Sequence, residues 1–294
     1  MNRIRFFLFS LHRWLGIMIC LFLLMWFITG LVLIYHSFPN VTKEQKYAKM
    51  ETLPSSLPSV EEMTRSVPEE DQLRVRNIYQ FQGQTLYSVS TKENNYTICT
   101  DSSENIQPLT YETIENIAAG WVDAPILKVD TLHDLEIWIM YTKYRKELPI
   151  YKFYFDDPER HQLYISSQTG EVQQFTTAKQ RFYAWIGSIP HKLYIPALRK
   201  HTQLWIDTIT VCSLIALLVC LTGCVAGGYR YYQSYKKRGI YTTPYRKTAW
   251  KWHHVAGTWF SLFLITWTVS GALSLKKHLN GLPKRTRTIK SLHE

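Results

Sequence analysis

The segment from Leu11 to Tyr35, LHRWLGIMICLFLLMWFITGLVLIY, constrains this chain more than any other, because Arg13 is its only formal charge. About 20 apolar residues in a helix cross the hydrocarbon core of a bilayer. Lipid offers no partner to backbone N–H and C=O groups, so such a segment must satisfy them internally as a helix. A secretory signal would carry an apolar region of only about 7–15 residues followed by a small-residue cleavage site. Neither is present, and the expectation is a retained anchor.

Two more spans are expected, at 204–229 (containing TVCSLIALLVCLTGCVAGG) and at 254–275 (containing VAGTWFSLFLITWTVSGALSL). Trp205, Tyr229 and Trp252 stand at their ends, where amphipathic rings anchor at the headgroup level. The expected fold class is therefore membrane α-helical with three transmembrane helices. The long segment 36–203 between the first two spans forms a separate extramembrane domain.

Charge sets the orientation. The connection from Arg230 to Lys251 holds seven basic residues and no acid, which marks a cytoplasmic loop (230–253). The N-terminus, 1–10, then lies on the same side, and 36–203 lies outside. That domain carries 18 basic and 21 acidic residues, so the whole +11 net charge belongs to the membrane-flanking parts. The basic pI of 9.3 is thus a topology signal and not a nucleic-acid footprint. The tail 276–294 falls outside although it holds six basic residues.

Within 36–203, the stretch 41–70 is polar and proline-punctuated, a mixture of linker and short helix. Alternation over Ile78–Ser90 and Tyr96–Thr100 reads as antiparallel strands, and Thr110–Gly120 has helical spacing with a closing glycine. Tyr151–Phe155 and Gln162–Ser166 form a hairpin around Asp156, Asp157 and Pro158. The domain is expected to be α+β. Cys99 is its one cysteine, so no internal disulfide staples it, and the cysteines of the spans serve as small apolar residues.

The most informative feature is an internal repeat. His12–Gly30 (HRWLGIMICLFLLMWFITG) aligns without a gap on His253–Gly271 (HHVAGTWFSLFLITWTVSG). His12 meets His253, Gly16 meets Gly257, Trp26 meets Trp267 and Gly30 meets Gly271. At about 100° per residue the histidine and both glycines share one stripe. Two readings stay open: close helix packing across the glycines, or room for a flat macrocycle whose iron the imidazole binds. Seven of the ten histidines lie at span boundaries. His12, His253 and His254 mark the inner side; His36, His191, His201 and His278 mark the outer side. Ionisable groups at membrane depth usually mark a functional path.

Several blocks carry a family resemblance: HRWLGI, WFITG, LPIYKFYFDDPERHQLYISSQTGEV (148–172), RFYAWIGSIPHKLYIP (181–196), PYRKTAWKWHHVAGTWF (244–260) and TWTVSGALS. In this order they resemble the PepSY-associated transmembrane proteins of bacteria. The resemblance implies an inner-membrane haem protein similar to ferric-siderophore reductases, binding one or two b-type haems through membrane histidines. It also implies that 148–172 belongs to a PepSY-like module. It points to His12 and His253 as inner ligands and His191 as an outer ligand. His36 and His278 end their spans at nearly equal distances beyond the shared histidine, which makes them the natural candidates to complete the outer set. His254 is the reserve for the inner site, and His201 and His133 are interfacial or surface residues.

Longer members usually carry a fourth span, which leaves two alternatives for the basic tail: the seven-charge loop outweighs it, or a partner membrane subunit or a second copy supplies the missing helix. The implied partners are membrane lipid, a cytoplasmic or quinol electron donor, and a ferric siderophore or other iron chelate. About 24 residues separate His12 from His36, roughly 36 Å of helix, a distance that two cofactors divide into shorter steps. No P-loop, HExxH or serine-nucleophile motif is present. Two other classes remain open: a non-enzymatic PepSY-type binding or regulatory protein, and a redox-silent uptake component.

Overall fold

The computed structural model describes residues 2–59, 62, 74–81, 83–90, 95–99 and 109–280. Thr100, most of 60–70, the tail from 281 to 294, and the side chains of Cys99 and His278 lie outside the described set. The helices are α1 (Asn2–Tyr35), α2 (Lys43–Ala48), α3 (Tyr111–Trp121), α4 (Ala178–Ile186), α5 (Ser188–His191), α6 (Pro196–Arg199), α7 (Thr202–Arg238) and α8 (Thr248–Asn280). The strands are β1 (Arg74–Phe81), β2 (Gln84–Ser90), β3 (Asn95–Cys99), β4 (Ile126–Leu132), β5 (Ile150–Phe155), β6 (Gln162–Ser166) and β7 (Val172–Thr176).

The chain divides into two compact units. The helical unit comprises Met1–Phe38, Leu135–Thr142 and Lys179–Leu282. Its α1 and α7 hold windows of mean hydropathy 2.8 and 2.5, and each is long and apolar enough to cross a membrane. Each helix overruns the expected span, α1 at its start and α7 at both ends, because Arg3, Arg5 and the Lys236–Arg238 run continue the helical turns beyond the apolar stretch. Gly239 stops α7 in the left-handed conformation at φ +72° and donates its N–H to the Tyr235 carbonyl. Glycine adopts that φ without a Cβ clash, and the three basic residues before it complement the helix dipole.

Many apolar residues of these helices point outward. Met18 and Leu21 on α1 are 80% and 77% exposed, and Leu214 on α7 and Trp259 and Leu262 on α8 are also mostly exposed. In water such faces would drive association, whereas lipid solvates them.

The second unit, Pro39–Asp134 with Lys143–Ala178, carries two antiparallel sheets in the orders β1-β2-β3 and β4-β5-β6-β7. Strand β1 ends at Phe81 and β2 begins at Gln84, so the expected strand over Ile78–Ser90 is two strands joined at Gly83, φ +74°. Helix α3 starts where Thr110 accepts a hydrogen bond from the Thr113 N–H. It runs through Gly120 to Trp121, so that glycine does not close it. Ile114 and Ala118 of α3 pack on Phe153, Leu163 and Ile165 of the second sheet, all fully or almost fully buried.

The β5–β6 hairpin has the residues expected of it. Asp157 builds its turn, accepting from the N–H groups of Glu159 and His161 and from His161 Nδ1 at 2.7 Å. Burial alone would raise its pKa, but these bonds hold the carboxyl below its usual range.

Candidate functional site

Helix α7 organises the helical unit by packing against both α1 and α8, while α1 and α8 share no comparable contact. Small residues allow the close approach. Ile19 of α1 is buried on Ala216 and Val219 of α7. At Gly227 of α7 a Cβ would stand 2.0 Å from Thr258 Oγ1 of α8, so only glycine fits there.

His12 of α1 lies over Gly223 of α7, where a Cβ would stand 2.8 Å from the imidazole Cε1. Its Nδ1 is 3.1 Å from the Val219 carbonyl and 3.3 Å from Thr222 Oγ1. A carbonyl oxygen only accepts, so Nδ1 carries the proton and Nε2 keeps its lone pair in the neutral ring. His253 of α8 faces this ring with its centroid 6.1 Å away and its plane tilted by 41°. Gly16 and Gly257 lie one turn beyond the two histidines, and nothing falls within 4 Å of where their Cβ atoms would be. These two glycines of the repeat therefore do not serve as contacts between helices of this chain.

His254 turns away from the pair. It is buried, with Nε2 3.1 Å from the Gly227 carbonyl and its ring packed on Tyr231 and Tyr245. A step of about 100° along the helix separates it from His253.

His191 ends the short helix α5, which meets α1 closely at Gly187, where a Cβ would stand 2.8 Å from Val32 Cγ1. Its Nδ1 is 3.0 Å from the Trp26 carbonyl and 3.3 Å from Thr29 Oγ1. The ring lies over Gly30, where a Cβ would stand 3.1 Å from Cε1. His36 is not brought to His191; it is stacked on Tyr183 at 3.6 Å and 11°. The His278 side chain is outside the described residues. His201 is exposed at the start of α7, and His133 is exposed in the sheet-bearing unit. Sequence reasoning singled out none of Val219, Thr222, Gly223 and Thr29 as partners of the histidines. The signal available was the Thr-Gly pair that recurs in ITG of the first span and LTG of the second.

The donor set can be compared with an iron macrocycle. Two imidazoles on opposite sides of one metal ion, each bonded at about 2 Å, place their ring centres about 6 Å apart. The observed 6.1 Å between His12 and His253 agrees. Ligating histidines almost always donate their second ring N–H to a carbonyl or carboxylate, as His12 does to Val219. Among the described residues no group of three or more His, Cys, Asp or Glu gathers as donors to a bare ion. A pair of imidazoles at this separation is a donor set that could hold the iron of a haem.

No curated protein and no solved structure matches the chain. Its sequence from 9 to 290 matches the model of the PepSY-associated TM region, a match that spans both units and nearly the whole length. With α1 and α7 both of transmembrane length and hydropathy, the chain is a membrane protein belonging to the family of the PepSY-associated TM region.

Proposed function

We propose that this chain binds haem between His12 and His253 and passes electrons across the inner membrane of a bacterium to a ferric siderophore or similar iron chelate. The observation that carries the reading is the pair of imidazoles 6.1 Å apart, one of them held by a backbone carbonyl in the tautomer that presents Nε2. In this reading α8 is the third transmembrane helix, since 33 residues rise about 50 Å and exceed the hydrocarbon thickness. The seven-charge loop and the N-terminus face the cytoplasm, and the sheet-bearing unit lies outside.

Haem supplies reversible one-electron chemistry when bound, and the protein's part is position and environment. His12 and His253 would hold it through their imidazoles. Gly16 and Gly257 leave the faces beside those imidazoles open. His191 would serve a second, outer haem. Its ring sits on Gly30, 18 residues along α1 from His12, or about 27 Å of rise, which is shorter than the path to His36. A cytoplasmic or quinol donor delivers electrons at the His12 end. The acceptor takes them outside, with no acid, base or nucleophile required. The reading draws its acceptor class from the resemblance to siderophore reductases.

The test mixes dithionite-reduced, desalted protein with a ferric siderophore under anaerobic conditions and follows ferrous iron with a ferrous-specific chelator. The expected result is ferrous iron appearing as the reduced haem band decays, more slowly in His191→Ala. Reduced protein that stays reduced in the presence of several ferric chelates overturns the reductase reading.

A further inference from the structure

The environments of His12 and His191 are the same construction built twice, on different helices and at different levels of the helical unit. On α7, Thr222 Oγ1 is 2.8 Å from the Leu218 carbonyl and 3.1 Å from the Val219 carbonyl. On α1, Thr29 Oγ1 is 2.7 Å from the Met25 carbonyl and 3.2 Å from the Trp26 carbonyl. In both places the threonine hydroxyl donates back one turn along its own helix, which leaves its oxygen to face the imidazole as an acceptor. The same imidazole nitrogen, Nδ1, meets that oxygen at 3.3 Å and the carbonyl three residues earlier at 3.0–3.1 Å. The glycine after the threonine lies under the ring edge in both, with no room for a Cβ beside His12 and little beside His191.

We infer that Thr222-Gly223 and Thr29-Gly30 are histidine seats, positioning residues that hold His12 and His191 in the Nδ1–H tautomer and present Nε2 to iron. Both partners of each Nδ1 are acceptors, so a proton on Nε2 instead would leave Nδ1 facing two lone pairs. Glycine lets the ring approach the helix backbone closely enough to reach a carbonyl already engaged in the helical ladder. Outer partners of this kind typically change metal affinity by about 10–100-fold when removed, because they fix ring orientation and raise ligand basicity. The inference rests on the haem reading for its consequence, but the tautomer is a property of the protein alone.

The experiment therefore has two arms. In the first, haem-free full-length protein labelled with nitrogen-15 histidine is studied in detergent micelles, with His12→Ala and His191→Ala used for assignment. Both histidines should give the Nδ1–H tautomer, and Thr222→Val or Gly223→Ala should lose it at His12 only. In the second arm, haem is titrated into the variants and midpoint potentials are recorded. Thr222→Val and Gly223→Ala should weaken haem and shift the potential at the His12 site. Thr29→Val and Gly30→Ala should do so at the His191 site, and threonine-to-serine variants should restore the original values. An Nε2–H tautomer at either histidine in the unaltered protein overturns the inference. So does a Thr222→Val protein with unchanged His12 signals, haem affinity and potential. Correct tautomers in a protein that never binds haem uphold the seats and reject the haem reading alone.

Discussion

Gly16→Leu separates the two readings of the glycine repeat. If Gly16 is a packing glycine, a leucine there overfills a helix interface, at a cost of about 1–3 kcal/mol. No atom lies within 4 Å of its Cβ position, so the structure predicts no clash. Replacing glycine by a good helix former in an open helix position gains about 0.8–1 kcal/mol in propensity. The haem-free variant should therefore be at least as stable as the parent. The leucine side chain would, however, project into the open space one turn from His12 that the proposed haem would need. Haem affinity should fall at least tenfold, equivalent to about 1.4 kcal/mol. Gly227→Ala is the control in the opposite sense, since its Cβ would stand 2.0 Å from Thr258 Oγ1 and must push α7 from α8. Thermal unfolding of the haem-free proteins in detergent, followed by haem titration, measures both quantities. A Gly16→Leu protein that loses as much thermal stability as Gly227→Ala, with haem affinity unchanged, would refute the reasoning.

His12→Ala and His253→Ala should each abolish the same haem signal, because removing either axial ligand breaks one six-coordinate site; spectra of the two variants that differ in which haem is lost would place them in separate sites. Arg199→Ala should destabilise the helical unit by about 2 kcal/mol or more, since the buried guanidinium lies 4.5 Å from the Trp205 ring and 5.0 Å from that of Tyr141, and desolvated cation–π contacts reach that size. Thermal unfolding of Arg199→Ala and Arg199→Lys checks this, with Lys recovering only part of the loss because it lacks the planar stacking face. The β5–β6 turn should weaken in acid. Asp157 has a folded pKa below its unfolded value near 3.9, so its contribution is full above that value and is lost as pH falls through the folded pKa. Hydrogen exchange of the His161 amide should rise across that window, after correction for intrinsic rates, and Asp157→Asn should remove the pH dependence.

The two apolar helices α1 and α7 were legible because the bilayer imposes length and apolarity directly on the sequence, as in 11–35. The β5–β6 hairpin was legible because alternation and an Asp-Asp-Pro turn are both local signals. The division at Gly83 was less visible, since polar and apolar residues continue to alternate across it. The pairing of His12 with His253 was readable from the repeat, which carries a histidine and glycines in register. The partners of each imidazole were not. Val219 contributes a backbone carbonyl, and any residue at that position would supply the same atom. The seat of His191 at Gly30 depends on α5, four residues long, folding back along α1 from Gly187, a close approach that a single glycine in the sequence does not announce. His36 illustrates the reverse case: equal spacing beyond the shared histidine made it a natural partner for His191, yet a tyrosine elsewhere in the fold, Tyr183, takes its ring.

The absorption spectrum of the purified protein tests the central claim most directly. Full-length protein, expressed with ample haem supply and purified in detergent, should be red and low-spin, with a sharp α band on reduction that disappears in His12→Ala. Two imidazoles on one iron give that spectrum, and the rings of His12 and His253 stand at the separation it requires. Colourless protein that also fails to take up added haem would contradict the account.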